Sequence, residues 1–430
     1  MTGQKQGKSW HNPTLDLPEG YRLTELGPLP DEWRVVQLGE VVTLTMGQSP
    51  PSTTYNVNWQ GLPFLQGKAE FGDIYPRPVK WCSKPIRIAK SDSVLISVRA
   101  PVGDVNIAQQ DYCIGRGLAS LSGKQDLDNM FMFYFLLNSK SRLEEEGTGS
   151  TFKSINKSTL SNFSIPLPPL PEQRAIAHAL RAVQEGREAT ERVIAAAREL
   201  KKSLMHHLFT YGPVPIDQAD QVPLQETEIG PIPAHWRVVK LGEVITIHDK
   251  KRVPLSSTQR RKMRGPYPYC GANGILDYIN EYLFDGEFVL LAEDGGYWGK
   301  LGPSAYIMRG KFWVNNHAHV IQAIRATTIN EYLLNTFFYL DLDPYISGTT
   351  RGKLNQGVLK SISIPLPPLP EQQEIVRILH RVDEKIQAEE RHKEALVALF
   401  KTLLHHLMTA RVRVSRELLV RFEKKSEAMS

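Results

Sequence analysis

Cysteine is scarce in this chain. Cys82, Cys113 and Cys270 are the only three among 430 residues, too few and too scattered for a disulfide framework. That excludes the small cross-linked secreted scaffolds and favours a reducing, cytoplasmic setting. No stretch approaches the ~18 apolar residues that a membrane-spanning helix needs. The opening Met1-Thr-Gly-Gln-Lys-Gln-Gly-Lys8 lacks the apolar core of a signal peptide. The patterns of the obvious chemistries are missing too. There is no glycine-rich cofactor loop and no Asn/Asp-Pro-Pro-Tyr/Phe run of the kind that holds a flipped base. The nearest approach to a phosphate-cradling loop is Gly299-Lys300, but Asp294 stands where its first glycine belongs and Leu301 follows the lysine. Asp383-Glu384-Lys385 is the nearest thing to a nuclease cluster, and it falls in a helical pattern where it reads as an exposed face. These absences predict a chain that binds rather than catalyses.

Charge is also modest. The net +6 and pI near 9.0 are compatible with nucleic acid without pointing to it. A hydrophobic content of 41% and a charged content of 23% are those of an ordinary globular protein, long enough for two or three domains.

What is abundant is proline, in one particular place. Ile165-Pro-Leu-Pro-Pro-Leu-Pro171-Glu-Gln173 recurs as Ile364-Pro-Leu-Pro-Pro-Leu-Pro370-Glu-Gln372. Four prolines hold the backbone extended, and the fourth suits the first position of a helix. Glu172 and Glu371 then fall in a first turn, where negative charge complements the helix dipole. The chain is therefore a tandem repeat. Its copies open on Gly27-Pro-Leu-Pro30 with Trp33-Arg-Val-Val36, and on Gly230-Pro-Ile-Pro233 with Trp236-Arg-Val-Val239. Trp236 minus Trp33 is 203 and Pro365 minus Pro166 is 199, so the second copy is four residues shorter between these landmarks. The ends match, whereas residues 44–146 and 247–346 share little, as expected of one scaffold carrying two different reading surfaces.

Within the middles, Ser93–Val98 and Glu287–Ala292 read as strands, each followed by a glycine-bearing turn. Met130–Leu137 and Tyr332–Leu340 read as short buried helices, so each module is expected to be α+β. After each proline segment comes a long heptad-like seam: Ile176, Leu180, Val183, Thr190, Ile194, Ala197, Leu204 and Leu208 in the first, Ile375, Leu379, Val382, Ile386, Leu396, Phe400, Leu403 and Leu407 in the second. From Glu172 to Phe209 such a helix is about 57 Å long. Its seam needs a partner, and the simplest is the other copy's helix. Gly186 weakens the first helix by roughly 1 kcal/mol relative to alanine and marks a candidate bend. The expected boundaries are 1–164 for the first module, 165–212 for its proline lead-in and helix, 213–363 for a linker and the second module, and 364–430 for the second lead-in, helix and a basic tail without counterpart. His206-His207 and His405-His406 sit near the helix ends and are expected to pack there or to meet a partner. His317-Ala-His319 would share a strand face, more in keeping with a polar core than with a metal.

Two variable modules, each closed by such a Pro-Leu-Pro-Glu-Gln segment and a long helix, resemble the specificity subunit of type I restriction-modification systems over residues 20–410. The segments Gly149–Asn156 and Gly348–Asn355 match as well. The resemblance implies two tandem target recognition domains and a spacer in which the two helices pair as an antiparallel coiled coil with pseudo-two-fold symmetry. It implies a non-catalytic subunit that reads a bipartite, asymmetric site on double-stranded DNA. Its partners would be methyltransferase subunits, two of them, and restriction/translocase subunits, and those partners rather than this chain would hold S-adenosylmethionine, ATP and Mg. Two rival classes are a DNA-modifying enzyme with an unrecognised motif and a coiled-coil assembly adaptor.

On that reading the richest candidate for DNA contact is the stretch Lys250, Lys251, Arg252, Arg260, Arg261, Lys262 and Arg264, taken as a loop whose cations suit phosphates and guanine edges. Its counterpart Met46–Tyr55 is polar but uncharged, suited to reading bases rather than to anchoring phosphates, which leaves Lys68, Lys80, Arg99 and Arg116 as the basic candidates of the first module. Ser150, Thr151 and Lys153, with Thr349, Thr350, Arg351 and Lys353, combine hydroxyls, a nearby glycine and cations in a way that suits a phosphate.

Overall fold

The computed structural model describes residues 17–147, 153–348 and 352–427. The chain forms two compact units. One comprises the residues up to Ala189 together with those from Lys393 onward, and the other is Thr190–His392. Each long helix, Leu170–Tyr211 and Leu369–Met408, contributes residues to both.

In the first unit the repeated landmarks meet each other. Arg34–Gln37 pairs antiparallel with Ser164–Leu167, Val36 opposite Ile165 and Val35 opposite Pro166. The proline lead-in is thus one strand of a two-stranded ribbon, where a missing N–H is tolerated. The helix begins at Leu170, one residue ahead of the expected proline start, so Pro171 is its second residue. Either position leaves no intrahelical bond unmade, because the first four amides have no partner in any case. Trp33 is fully buried, and its indole donates to Glu172 Oε2 at 2.9 Å. Glu172 therefore does more than complement a dipole: it is buried and anchors the module's start to its end. Gln173 ties the same junction to the Asp126 and Pro168 carbonyls and the Asp128 amide.

The second unit repeats this design. Arg237–Lys240 pairs with Ser363–Leu366, Trp236 donates to Glu371 Oε2 at 2.8 Å, and Gln372 donates to the Thr327 and Pro367 carbonyls. The ends of the copies match because they clasp each other.

The middles, unlike in sequence, share a frame. In the first unit a four-stranded sheet runs in the order Val105–Ile107, Val94–Ser97, Leu118–Gly123, Val42–Met46. Beside it a five-stranded sheet runs Tyr55–Asn56, Lys80–Cys82, Leu62–Leu65, Tyr112–Ile114, Ile88–Ala89. In the second unit one six-stranded sheet runs Ile245–Ile247, Ala318–Ala323, Phe284–Ala292, Ala305–Val314, Arg264–Gly271, Gly274–Ile279. Ser97 faces Leu118 as Ala292 faces Ala318, and Leu44 faces Leu121 as Ile247 faces Ile321. The expected helices are Asn129–Asn138 and Asn330–Tyr339. The first is capped by Asp128, which accepts from the Met130 and Phe131 amides. It buries Phe131, Phe133 and Leu136.

Within each unit the long helices run antiparallel. In the first, Ile176 and Leu180 share a core with Leu404 and Leu407, while Gly186 lies against Leu396 further along. In the second, Arg198 pairs with Glu390 and Lys201 with Asp383, and Leu208 and Phe209 pack with Ile375 and Leu379. Asp383-Glu384-Lys385 is spent on pairs along the coil: Asp383 with Lys201, Glu384 with His380, Lys385 with Glu389. The basic tail folds back on the first unit. Arg413 clamps Glu172 and Glu32 at 2.6 and 2.9 Å, and Leu418, Leu419 and Phe422 of helix Arg416–Glu427 cover that unit's core.

Candidate nucleic-acid interface

Three turns of the first module converge at the ends of its central strands. The Gly47 amide reaches the Leu118 carbonyl, the Gln48 amide that of Ile114, and the Gly115 amide that of Leu65. The approach is so close that a Cβ on Gly47 would lie 2.2 Å from the Gly115 oxygen, and one on Gly117 would lie 2.7 Å from the Gln66 oxygen. Glycine is required there because backbone fills the space. The side chains left at the rim are polar. Gln66 donates to Ser49 Oγ at 3.1 Å, the Arg116 amide donates to the same oxygen at 3.2 Å, and Gln48, Gln66, Arg116 and the neighbouring Arg99 are exposed. Carboxamides match the two-point edge of adenine and guanidinium that of guanine. A rigid backbone carrying such groups has the chemistry that base reading requires.

The second module builds the same place from other residues. Ile114 and Val314 each end a strand three residues before the next begins, so Gly115-Arg116-Gly117 corresponds to Asn315-Asn316-His317. By the same register Arg99 corresponds to Asp294 and Gln48-Ser49 to Lys251-Arg252. His317 Nδ1 lies 2.7 Å from Asp294, Asn273 donates to the Gly295 carbonyl, and Ser304 donates to Asn273. Lys250, Lys251, Asn273 and Asn316 are exposed.

Beneath this rim lies a charge network built on buried Glu293 and His319. His319 Nδ1 is 2.6 Å from Asp249 and its Nε2 is 2.7 Å from the Leu354 carbonyl. Arg252 lies 2.6 Å from Glu293 and Lys353 lies 2.9 Å from it. Burial pushes the Asp249 and Glu293 carboxyls up, but the surrounding donors outweigh it and hold both below the usual carboxylate range: His319, the Val320 amide and Arg252 for Asp249, Lys353 and Arg252 for Glu293. Asp249, Glu293 and His319 bring ligand-type atoms within 4.8 Å of one another. The cations on those carboxylates are Arg252 and Lys353, and both imidazole nitrogens already face acceptors. His319 is a polar core residue here. The first module has Met46, Ser49, Val98, Ala119 and Ser154 at the five corresponding positions, so it has no such network.

Several expected contacts are therefore structural. The stretch 249–265 is not a loop. Asp249–Lys251 is a 3₁₀ turn, Ser257–Lys262 is a helix capped by Ser256 and Gln259, and Arg264 opens a strand. Arg252 is held in the network by Glu293, its side chain 12% exposed. Arg260 is bound to Asp277 and the Leu255 carbonyl and lies over the Tyr269 ring. Their acidic partners are distant in sequence, so no local reading of the basic run finds them. Arg261, Lys262 and Arg264 stay exposed, as do Lys250 and Lys251. In the first module Lys68 is paired with Asp104 at 2.7 Å, Lys153 reaches the Glu144 carbonyl, and Arg99, Arg116 and Lys80 are exposed. The offset of 199 sets Ser154, not Lys153, opposite Lys353, so the two lysines are not equivalent. Ser154 bridges Arg99 as Lys353 bridges Asp294. Ser150, Thr151, Thr349, Thr350 and Arg351 lie outside the described residues. Gln48 and Ser49 fall in the polar stretch Met46–Tyr55, whereas Gln66, Asn273 and Asn316 went unremarked in the sequence. The signal that marks the first of these turns is glycine on both sides of Arg116.

Among the described residues no helix is long and apolar enough to cross a membrane. A family model described as type I restriction modification DNA specificity domain matches the chain twice, at residues 30–197 and 233–398. The MjaVIII type I restriction enzyme specificity subunit of Methanocaldococcus jannaschii is 25% identical over 411 residues, covering 90% of this chain and 94% of that one. A second protein of that organism, provisionally named the MjaX specificity subunit, is 47% identical over 195 residues. That match spans 45% of this chain and 46% of the relative. The crystal structure of a type I restriction-modification S subunit from M. genitalium superposes with a TM-score of 0.57 at 18% identity, covering 87% of this chain and 96% of that one, a likeness of fold.

Proposed function

We infer that this chain, which belongs to the type I restriction modification DNA specificity family, is the sequence-reading subunit of such a system. It binds a bipartite, asymmetric DNA site, one half read by each module. The observation that carries this is the pair of equivalent turns, Gly115-Arg116-Gly117 and Asn315-Asn316-His317, one frame presenting two unlike sets of base-complementary groups.

The chain itself is non-catalytic in this reading. It directs two methyltransferase subunits and the restriction/translocase subunits to the site, in the cytoplasm, and those partners hold S-adenosylmethionine, ATP and Mg. The long paired helices set the gap between the half-sites. Phosphate contacts come from the exposed cations, Lys250, Lys251, Arg261, Lys262 and Arg264 in the second module and Arg99 in the first, and they position without specifying sequence.

Replacing Gln66 and Arg116 by alanine is expected to relax base preference in one half-site by about 1–3 kcal/mol per lost two-point contact, leaving the other half unchanged. Binding of the assembled complex to duplexes substituted at each position reads this out. A uniform loss across all positions would remove these residues from base reading. Methyl transfer by the purified chain alone would overturn the non-catalytic assignment.

A further inference from the structure

The strand frame shared by the modules extends beyond the reading turns. Leu62–Leu65 runs parallel to Tyr112–Ile114 with Leu65 opposite Ile114, as Arg264–Gly271 runs parallel to Ala305–Val314 with Cys270 opposite Val314. Counting back two residues from that anchor gives Pro63 and Pro268. The residue paired with Pro63 on the next strand outward is Trp81, and the one paired with Pro268 is Tyr278. No sequence offset reveals this, because 15 residues separate Leu65 from Lys80 by number whereas a tight hairpin joins the corresponding strands of the second module.

Both positions carry rings: Trp81, half-buried under Trp59, in the first module and exposed Tyr278 in the second. Trp59 stacks on Trp81 with centroids 4.9 Å apart and planes 8° from parallel, and it is 75% exposed. The loop is built to keep it there. The Asn56 side chain accepts from the Asn58 and Gln60 amides and donates to the Gln60 carbonyl. Trp59 adopts φ +63°, and Gly61 lies so close to the Cys82 carbonyl that a Cβ would be 2.0 Å from it. A bulky residue with positive φ is a strained choice, and strain held in place by its surroundings marks function more often than packing. In the second module Tyr278 is 51% exposed. Tyr282, at 42%, meets Tyr267 edge-on at 5.1 Å and lies under the Lys311 ammonium at 4.6 Å.

Each ring set is bordered by cations. Lys80 and Lys84 are exposed in the first module, Arg261, Lys262 and Arg264 in the second, and none has a carboxylate salt-bridge partner among the described residues. Rings occupy the same strand position in both modules although the residues differ, and the cations come from different elements. Lys80 stands where the second module has Asp277, and that module's cations lie on helix Ser257–Lys262 and at the start of strand Arg264–Gly271. A protein partner would need two different complementary surfaces, whereas a duplex backbone offers both modules the same sugars and phosphates. The rings stand three strand residues from the reading turns, about 10 Å, which is close to three nucleotide steps at ~3.4 Å.

We propose that in each module this aromatic, cation-bordered strand is a second DNA contact, separate from the base-reading turns, lying against the backbone that flanks the bases read. The proposal rests on the DNA-reading function inferred above.

The test uses the complex of the full chain with its methyltransferase partners and a labelled duplex containing its site. Trp59→Ala and Tyr278→Ala are each expected to weaken binding by about tenfold, the scale of one lost ring contact, with base preference unchanged. Trp59→Phe is expected to keep most of the affinity. Replacing Lys80 and Lys84 together by alanine is expected to reduce the salt slope of binding by ~2. Thermal melting of each variant checks the fold, and Tyr278→Ala, on an open strand, carries the test if Trp59→Ala melts early. Unchanged affinity and salt slope in these variants would overturn the proposal. So would loss of a partner subunit with unchanged DNA affinity of the complex that remains, which would mark a protein interface. If the unsubstituted complex failed to distinguish its site from random DNA, the functional assignment itself would fall instead.

Discussion

The indole of Trp33 donates to Glu172 across 139 residues of chain, and Trp236 donates to Glu371 in the same way. In the first unit Arg413 closes on the same carboxylate. One buried oxygen pair therefore receives the start of the module, the start of the long helix and the C-terminal tail. Glu172→Ala leaves the Trp33 N–H without its acceptor and Arg413 with Glu32 alone. Breaking a buried pair from one side costs about 3–5 kcal/mol. The expected result is a lower melting temperature for the first unit, read by scanning calorimetry, with Glu371→Ala doing the same to the second. Two variants that melt like the original would mean the clasp is not what closes the modules.

The charge network makes the second module the more acid-sensitive. Asp249 and Glu293 are held below the usual carboxylate range, so their folded pKa values are below their unfolded ones. Their contribution to stability is present above about pH 4, the unfolded range, and is lost as pH falls through the folded values. The first module has Met46 and Val98 at these positions and lacks this loss. Hydrogen exchange or calorimetry between pH 5 and pH 2 is expected to show the second unit weakening ahead of the first, with Asp249→Asn flattening that dependence. Equal acid sensitivity of both units would contradict it.

An insertion of seven residues at facing positions of both long helices keeps the seam in register. It adds about 10 Å of helix, or roughly three base pairs at ~3.4 Å. The expected site keeps both half-sites and lengthens the gap, as seen by mapping methylated positions. Altered half-sites with an unaltered gap would separate the helices from the spacing function.

Much of this was legible in the sequence where the physics is local. The Pro-Leu-Pro-Glu-Gln segments, the strands at Val94–Ser97 and Phe284–Ala292 and the two long seams all show as patterns within a short window. The clasp was half legible: Trp33 and Glu172 recur at matching places in both copies, but nothing in the chain says that they touch. The reading surface was least legible. Arg252 and Arg260 look like DNA contacts in a basic run, yet Glu293 and Asp277, brought in by sheet register, take them out of play. Gln66 looks like an ordinary loop residue until strand pairing sets it, with Ser49, beside Arg116. Charge in a window reports composition, whereas exposure depends on partners supplied from elsewhere in the fold.

The most direct measurement is the methylome of cells that carry this chain with its partner genes. The expected pattern is methylation at one motif made of two different half-sites around a gap of fixed length and free sequence, with substitution of Gln66 and Arg116 changing one half alone. A single continuous or palindromic motif, or a motif unmoved by those substitutions, would contradict two unlike readers on a common frame.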